Sequence, residues 1–163
     1  MTDDDEAHGQ LLAELRSRLA ALATQHGADV REVNNPAGWY WPGTTLVLEP
    51  TAAGATPVTV FPEDAYTAWV EFGRQARVEI AVDPERVPAA VEEVLAVVEA
   101  IAAGRARQRL WYAPGQPEPI GSEAWVQPKD GGRWHRHQAD GRIPGRLSRR
   151  RYDARDVHYT PFS

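Results

Sequence analysis

Apolar and polar residues alternate between Tyr66 and Phe72. Tyr66, Ala68, Val70 and Phe72 share one parity, and Thr67, Trp69 and Glu71 the other. A period of two predicts a half-buried strand. Arg77 to Val82 repeats the pattern, with Val78, Ile80 and Val82 set against Arg77, Glu79 and Ala81. The Gly73-Arg74-Gln75 link between the two runs is short enough for a hairpin, and Gly73 can take a positive φ. Asp83-Pro84 ends the second run, and the period then becomes helical. Val91, Val94, Leu95, Val98, Ile101 and Ala102 form a stripe, with Glu92, Glu93 and Glu99 off it. Pro88 suits the first turn, Gly104 the position just past the last turn, and Arg105 and Arg107 the cation-favouring C-terminal end. The helix is rich in valine, whose helix propensity is modest, so packing on the hairpin must hold it. Arg109 to Tyr112 is predicted as a returning strand stopped by Pro114-Gly115.

The same reading extends outward in both directions. Leu11, Leu15, Leu19 and Leu22 predict an N-terminal helix from about Ala7 to His26, ended by Gly27, with Glu14 and Arg18 as an i,i+4 pair. Residues 1–6 are expected to fray. Ala28–Val33, Thr44–Glu49 and Pro57–Phe61 are further strand candidates. Beyond Tyr112, Glu123–Gln127 and Arg133–His137 can form short strands around the Lys129-Asp-Gly-Gly132 turn. The fold class expected is α+β: an antiparallel meander of about five or six strands, two main helices packed on it, and an irregular C-terminal extension. One domain, residues 1–163, suffices for this length, with 113–163 as a loop-rich basic segment.

Charge divides the chain. Residues 1–103 carry 17 Asp/Glu against 6 Lys/Arg, and residues 104–163 carry 6 against 12, within an overall net charge of −5. Such asymmetry bears on partners rather than on fold. Lys129 is the only lysine among 18 basic residues, in a chain rich in Ala, Gly and Pro. The arginine excess therefore reflects compositional bias as well as any phosphate chemistry. With no cysteine, disulfides, thiol nucleophiles and thiolate metal sites are excluded. No apolar run reaches the length of a membrane helix, and the acidic start is unlike a secretory signal, so a cytoplasmic location is expected.

Several groups of residues could carry function. His135 and His137 are two apart, so in a strand they share a face and could hold a metal with His158, Asp153 or Asp156; surface histidines are the plainer reading. Arg142, Arg146, Arg149, Arg150 and Arg151 form a basic run beside Tyr152 and Tyr159, which suits anion binding or, less well for an acidic chain, nucleic acid. Trp39, Tyr40 and Trp41 can anchor a partner, although one ring packing inward and the others shielding a strand is the simpler reading. Trp69, Trp111 and Trp125 are read as core or sheet-face residues. Glu92, Glu93 and Glu99 form an acidic helix face. Neighbouring carboxylates on a helix point apart, so they do not make an acid–base pair. No nucleophile elbow, phosphate-cradling glycine loop or His-Glu-x-x-His spacing is present, and no cofactor is implied.

The unit Ala68–Phe72, Arg77–Val82 and Val94–Ile101, closed by Gly104 and a short strand, resembles the small single-domain immunity proteins of bacterial polymorphic-toxin systems. It spans about a third of the chain and transfers no individual residue. The resemblance implies a non-catalytic protein that neutralises a toxin by tight association. The acidic first part of the chain would suit a basic toxin domain docking through the aromatic cluster and Glu92, Glu93 and Glu99. Two alternatives stand beside it: a small hydrolase or metal-dependent enzyme using the His135/His137 region on an anionic substrate, and a nucleic-acid adaptor using the arginine-rich segment.

Overall fold

The computed structural model describes residues 2–39, 42–137 and 141–163. The chain is α+β, as expected, but it builds two antiparallel sheets. The first is a five-stranded meander in sequence order: β1 (Ala28–Asn35), β2 (Gly43–Pro50), β3 (Val58–Pro62), β4 (Thr67–Phe72) and β5 (Ala76–Ala81). Helices α1 (Asp3–Gln25) and α2 (Val87–Ala102) pack against each other and on one face of it. Cross-strand partners on that face are apolar pairs such as Leu46–Val60, Leu48–Val58, Val60–Val70 and Val70–Val78. All of them are buried, together with Leu11, Leu15 and Leu19 of α1 and Val91, Val94, Val98 and Ile101 of α2.

The predicted alternation of β4 and β5 holds, with Ala68, Val70, Phe72, Val78, Ile80 and Val82 in the core. Tyr66 departs from it. It lies just before β4, half exposed, and its hydroxyl donates to Asp4 at 2.8 Å. The chain is also helical from Asp3, within the stretch expected to fray. Thr2 caps α1 by accepting from the Asp5 amide, and the Asp5 carboxylate accepts from the Thr2 amide in return. This capping box, with Asp3, Asp4, Asp5 and Glu6 in the first turn, matches the positive end of the helix dipole. The acidic run is therefore a helix start. Arg18 pairs with Glu92 of α2 at 2.7 Å, and Glu14 accepts from Gln10.

The larger correction concerns the C-terminal part. The expected returning strand, β6 (Ala106–Tyr112), does not rejoin the meander. It founds a second sheet in the order β8-β7-β6-β9, with β7 (Pro119–Val126), β8 (His135–His137) and β9 (Asp153–His158). Among the described residues the connections 113–118 and 127–134, the segment around the 3-10 turn Arg149–Arg151, and 159–163 remain irregular. Arg107, expected at the end of α2, lies within β6 because α2 stops at Ala102 and Gly104 turns the chain with φ 74°.

The sheets share one core that includes Ala106, Ala124, Val126 and the last aromatic residue, Phe162. The joint is polar. Gln108 of β6 is buried, and its amide donates to the Arg74 carbonyl at 2.8 Å and to Ser122 Oγ at 2.9 Å. Its oxygen accepts from the Arg74 amide at 3.0 Å and from the Tyr159 hydroxyl at 2.6 Å. Both donors and both lone pairs of the side chain are used. Tyr159 also meets Phe72 edge-on, with ring centroids 5.8 Å apart. Gly73 has φ 56°, and a Cβ there would overlap the Tyr159 hydroxyl. Glycine is thus required at the first hairpin position both for its conformation and for the closeness of the tyrosine.

Replacing Gln108 with Leu strands four polar partners and is expected to destabilise the fold by about 2–4 kcal/mol, read as a lower denaturation midpoint. Tyr159→Phe removes one bond, at a cost of about 1 kcal/mol. Burial also raises the Tyr159 phenol to about 12, above the roughly 10 of an unfolded tyrosine. The native state keeps a proton that the unfolded chain releases, so this contribution is full below about pH 10 and declines above it. Thermal melts from neutral to alkaline pH should show that decline in the wild type and lose most of it in Tyr159→Phe.

Candidate interaction surfaces

Register sets the two faces of the second sheet. Gln108 lies opposite Ala124 and Val157, and Ala124 lies opposite His137, on the side facing the core. On the other side one row across the sheet reads Arg136, Trp125, Arg107, His158, and the next reads Glu123, Arg109, Asp156. This outer face holds a dense set of arginines and tryptophans. The Arg107 guanidinium lies 5.2 Å from the Trp125 ring centre and 4.7 Å from that of Trp134. Arg109 lies 5.9 Å from Trp111 and 6.0 Å from Trp125, and Arg149 lies 5.3 Å from Trp111. Such stacks hold a guanidinium plane while its edge donors stay available.

Two carboxylates anchor this face. Glu123 is buried, accepts from Trp111 Nε1 at 2.9 Å and pairs with Arg136 at 2.9 Å and Arg149 at 3.6 Å. Asp156 takes a two-pronged bond from Arg109 at 2.6 and 2.8 Å, which lowers the aspartate below the usual carboxylate range. Arg149 also donates to the Pro144 carbonyl, tying the segment after Gly141 over the Trp111 end of the sheet. The Arg107 end carries a small notch of about 80 Å³ lined by Arg107, Gln108, Arg109, Trp125 and Asp156.

The residues singled out from the sequence fall in three places. Trp39 is well exposed in the β1–β2 connection, while Tyr40 and Trp41 lie outside the described residues. Glu92, Glu93 and Glu99 are exposed on α2, with Glu92 tied to Arg18. The basic run divides: Arg149 is built into the sheet face, whereas Arg142, Arg146, Arg150 and Arg151 are exposed around it, with Leu147 fully exposed between them. His135 is exposed and His137 half-buried on the core-facing side, whereas His158 is opposite Arg107 on the other. The register therefore separates His158 from the pair, as it does Asp156. Among the described residues no group of three or more His, Asp or Glu is arranged to hold a metal ion. Trp111 is buried, and Trp69 and Trp125 are half-buried on sheet faces.

The arrangement of Arg107, Arg109, Glu123, Trp134 and Asp156 was not anticipated. Its signal in the sequence is the shared parity of Arg107, Arg109 and Trp111, masked because a cation after Gly104 also suits a helix C-terminus. Compared with known proteins, the chain matches no family model, no curated protein and no solved structure.

Glu123→Ala should cost about 1–3 kcal/mol by stranding the buried Trp111 donor. Glu123→Gln should cost less, since its carbonyl can still accept that bond; chemical denaturation distinguishes the two. Burial, with the neighbouring His135, holds His137 below the ordinary histidine range. The unfolded chain therefore takes up that proton first as pH falls. Stability from this group is full above about pH 6.5 and declines below it. Melting temperature should begin to fall on acidification before the carboxylates titrate, and His137→Gln should flatten that early fall.

Proposed function

We propose that this protein acts by non-covalent association with another protein, as a toxin-neutralising immunity protein whose partner is a basic toxin domain. The observation supporting it is where the acidic charge lies. Along their lengths α1 and α2 carry eight carboxylates, Asp3, Asp4, Asp5, Glu6, Glu14, Glu92, Glu93 and Glu99, against Arg16 and Arg18. Both arginines are paired, Arg16 with Glu32 and Arg18 with Glu92. Three arginines of the second sheet and its 3-10 turn are engaged away from this layer: Arg109 by Asp156, and Arg136 and Arg149 by Glu123. The two-helix layer thus keeps a surplus of negative charge, which steers a cationic partner and opposes an anionic one. A shallow groove of about 290 Å³ between the helices, lined by Arg18, Leu22, Glu92, Leu95 and Glu99 among others, offers a place for a basic side chain.

Co-expression with the product of an adjacent gene, followed by affinity capture and kinetic analysis, tests the reading. A stoichiometric complex is expected, its association rate falling with added salt. Glu93→Lys with Glu99→Lys should slow association by roughly tenfold or more at low salt and change dissociation much less. A monomer that captures no neighbour-encoded protein would count heavily against the role. A complex indifferent to both salt and the double reversal would move the interface away from the helices.

A further inference from the structure

We propose that the open end of the arginine–tryptophan face binds single-stranded nucleic acid, with Arg107 taking a backbone phosphate and Trp125 and Trp134 bearing the bases. This goes beyond the association proposed above and uses a different layer of the molecule.

Arg107 is the central observation. It lies between two indoles, and no carboxylate of a described residue pairs with it. Its Nε is buried and has no hydrogen-bond partner. A buried donor left in this state is unfavourable unless an acceptor completes it. The other cations of the face are already engaged: Arg109 by Asp156, Arg136 and Arg149 by Glu123. The notch beside Arg107, about 80 Å³, is also lined by Asp156, whose carboxylate is held by Arg109; its size admits one oxyanion group on the Arg107 side rather than a whole ligand.

The row Arg136, Trp125, Arg107, His158 contains no acid, and Trp125 lies between its two arginines, of which Arg136 reaches Glu123 in the next row. Strand spacing places Arg136 and Arg107 about 10 Å apart, with Trp125 between them. Interleaved cations and rings favour a nucleic-acid strand over an acidic polypeptide. Bases stack on indoles and on guanidinium planes, whereas a run of carboxylates gains nothing from a ring. Stacking also requires unpaired bases, which selects a single strand. The acidity of the whole chain is not an obstacle here. The second sheet and its 3-10 turn carry seven arginines against Glu123, Asp153 and Asp156. Charges on the helical layer are screened over a Debye length of about 8 Å.

The full chain is titrated into a labelled oligothymidylate of about 12 nucleotides, read by anisotropy and by quenching of tryptophan fluorescence. Polyglutamate of equal charge and inorganic phosphate serve as competitors. Binding is expected at low salt, weakening as salt rises. Arg107→Gln should weaken it at least fivefold and reduce the magnitude of the logarithmic salt slope by about 0.7, the share of one phosphate contact. Trp134→Leu should weaken it roughly fivefold or more while leaving the salt slope unchanged. Glu93→Lys with Glu99→Lys should not reduce it. Absence of oligonucleotide binding at low salt overturns the proposal. So does polyglutamate competing as well as the oligonucleotide, which would mark a site for acidic polypeptide. If Arg107→Gln fails to fold, Trp134→Leu decides: unchanged affinity there rejects this face as the site.

Discussion

The side-chain amide of Gln108 sits where the β4–β5 hairpin, the second sheet and the C-terminal chain meet, and each supplies it with hydrogen-bond partners. A buried amide is costly unless every donor and lone pair is met, and here all are. The constraint passes outward from this point. Gly73 must lack a side chain because Tyr159 approaches it, and Tyr159 is placed by β9, whose partner strand is β6. Phe162 then closes the core by donating its amide to the last turn of α2, at the Ala102 carbonyl. The second sheet is thereby oriented by directional bonds where apolar packing alone would permit sliding.

Periodicity made the first sheet legible; of the second it marked β6, β7 and β8 but neither β9 nor their pairing into a separate sheet. Ala68 to Phe72 and Val78 to Val82 face a continuous core, so their alternation carries a simple signal. In β6 both faces are mixed. Gln108 is polar yet inward, and Trp111 is apolar yet on the face of Arg107 and Arg109. Parity of hydrophobicity fails for such a strand, because a satisfied amide replaces an apolar side chain inside and indoles shield guanidiniums outside. The Thr2–Asp5 capping box was present in the sequence as well. A run of acids suggests solvation before it suggests a helix dipole, which masks that signal.

The candidate surfaces were legible only as charge. The counts for the two parts of the chain announce an acidic region and a basic one, but not whether they neutralise each other. Topology decides this. The helices lie on the meander, whereas Arg109, Arg136 and Arg149 bond to Glu123 and Asp156 of the second sheet. A separation of charge along the sequence becomes a separation between layers. An adversary to non-specific association is built in, since each layer repels partners that the other attracts.

Ordering of the arginine–tryptophan face is the feature least accounted for by folding alone. A solvated arginine keeps rotamer freedom worth about 2 kcal/mol, and each of Arg107, Arg109 and Arg149 gives up part of it to stack on an indole. Exposed ion pairs return about 0–1 kcal/mol, so pairing between Arg109 and Asp156 offsets little of that loss. Arg107 has no such pair. Its stacking between Trp125 and Trp134 holds a guanidinium edge in one orientation before any ligand arrives. The entropy of ordering is thus met during folding and need not be met again on binding.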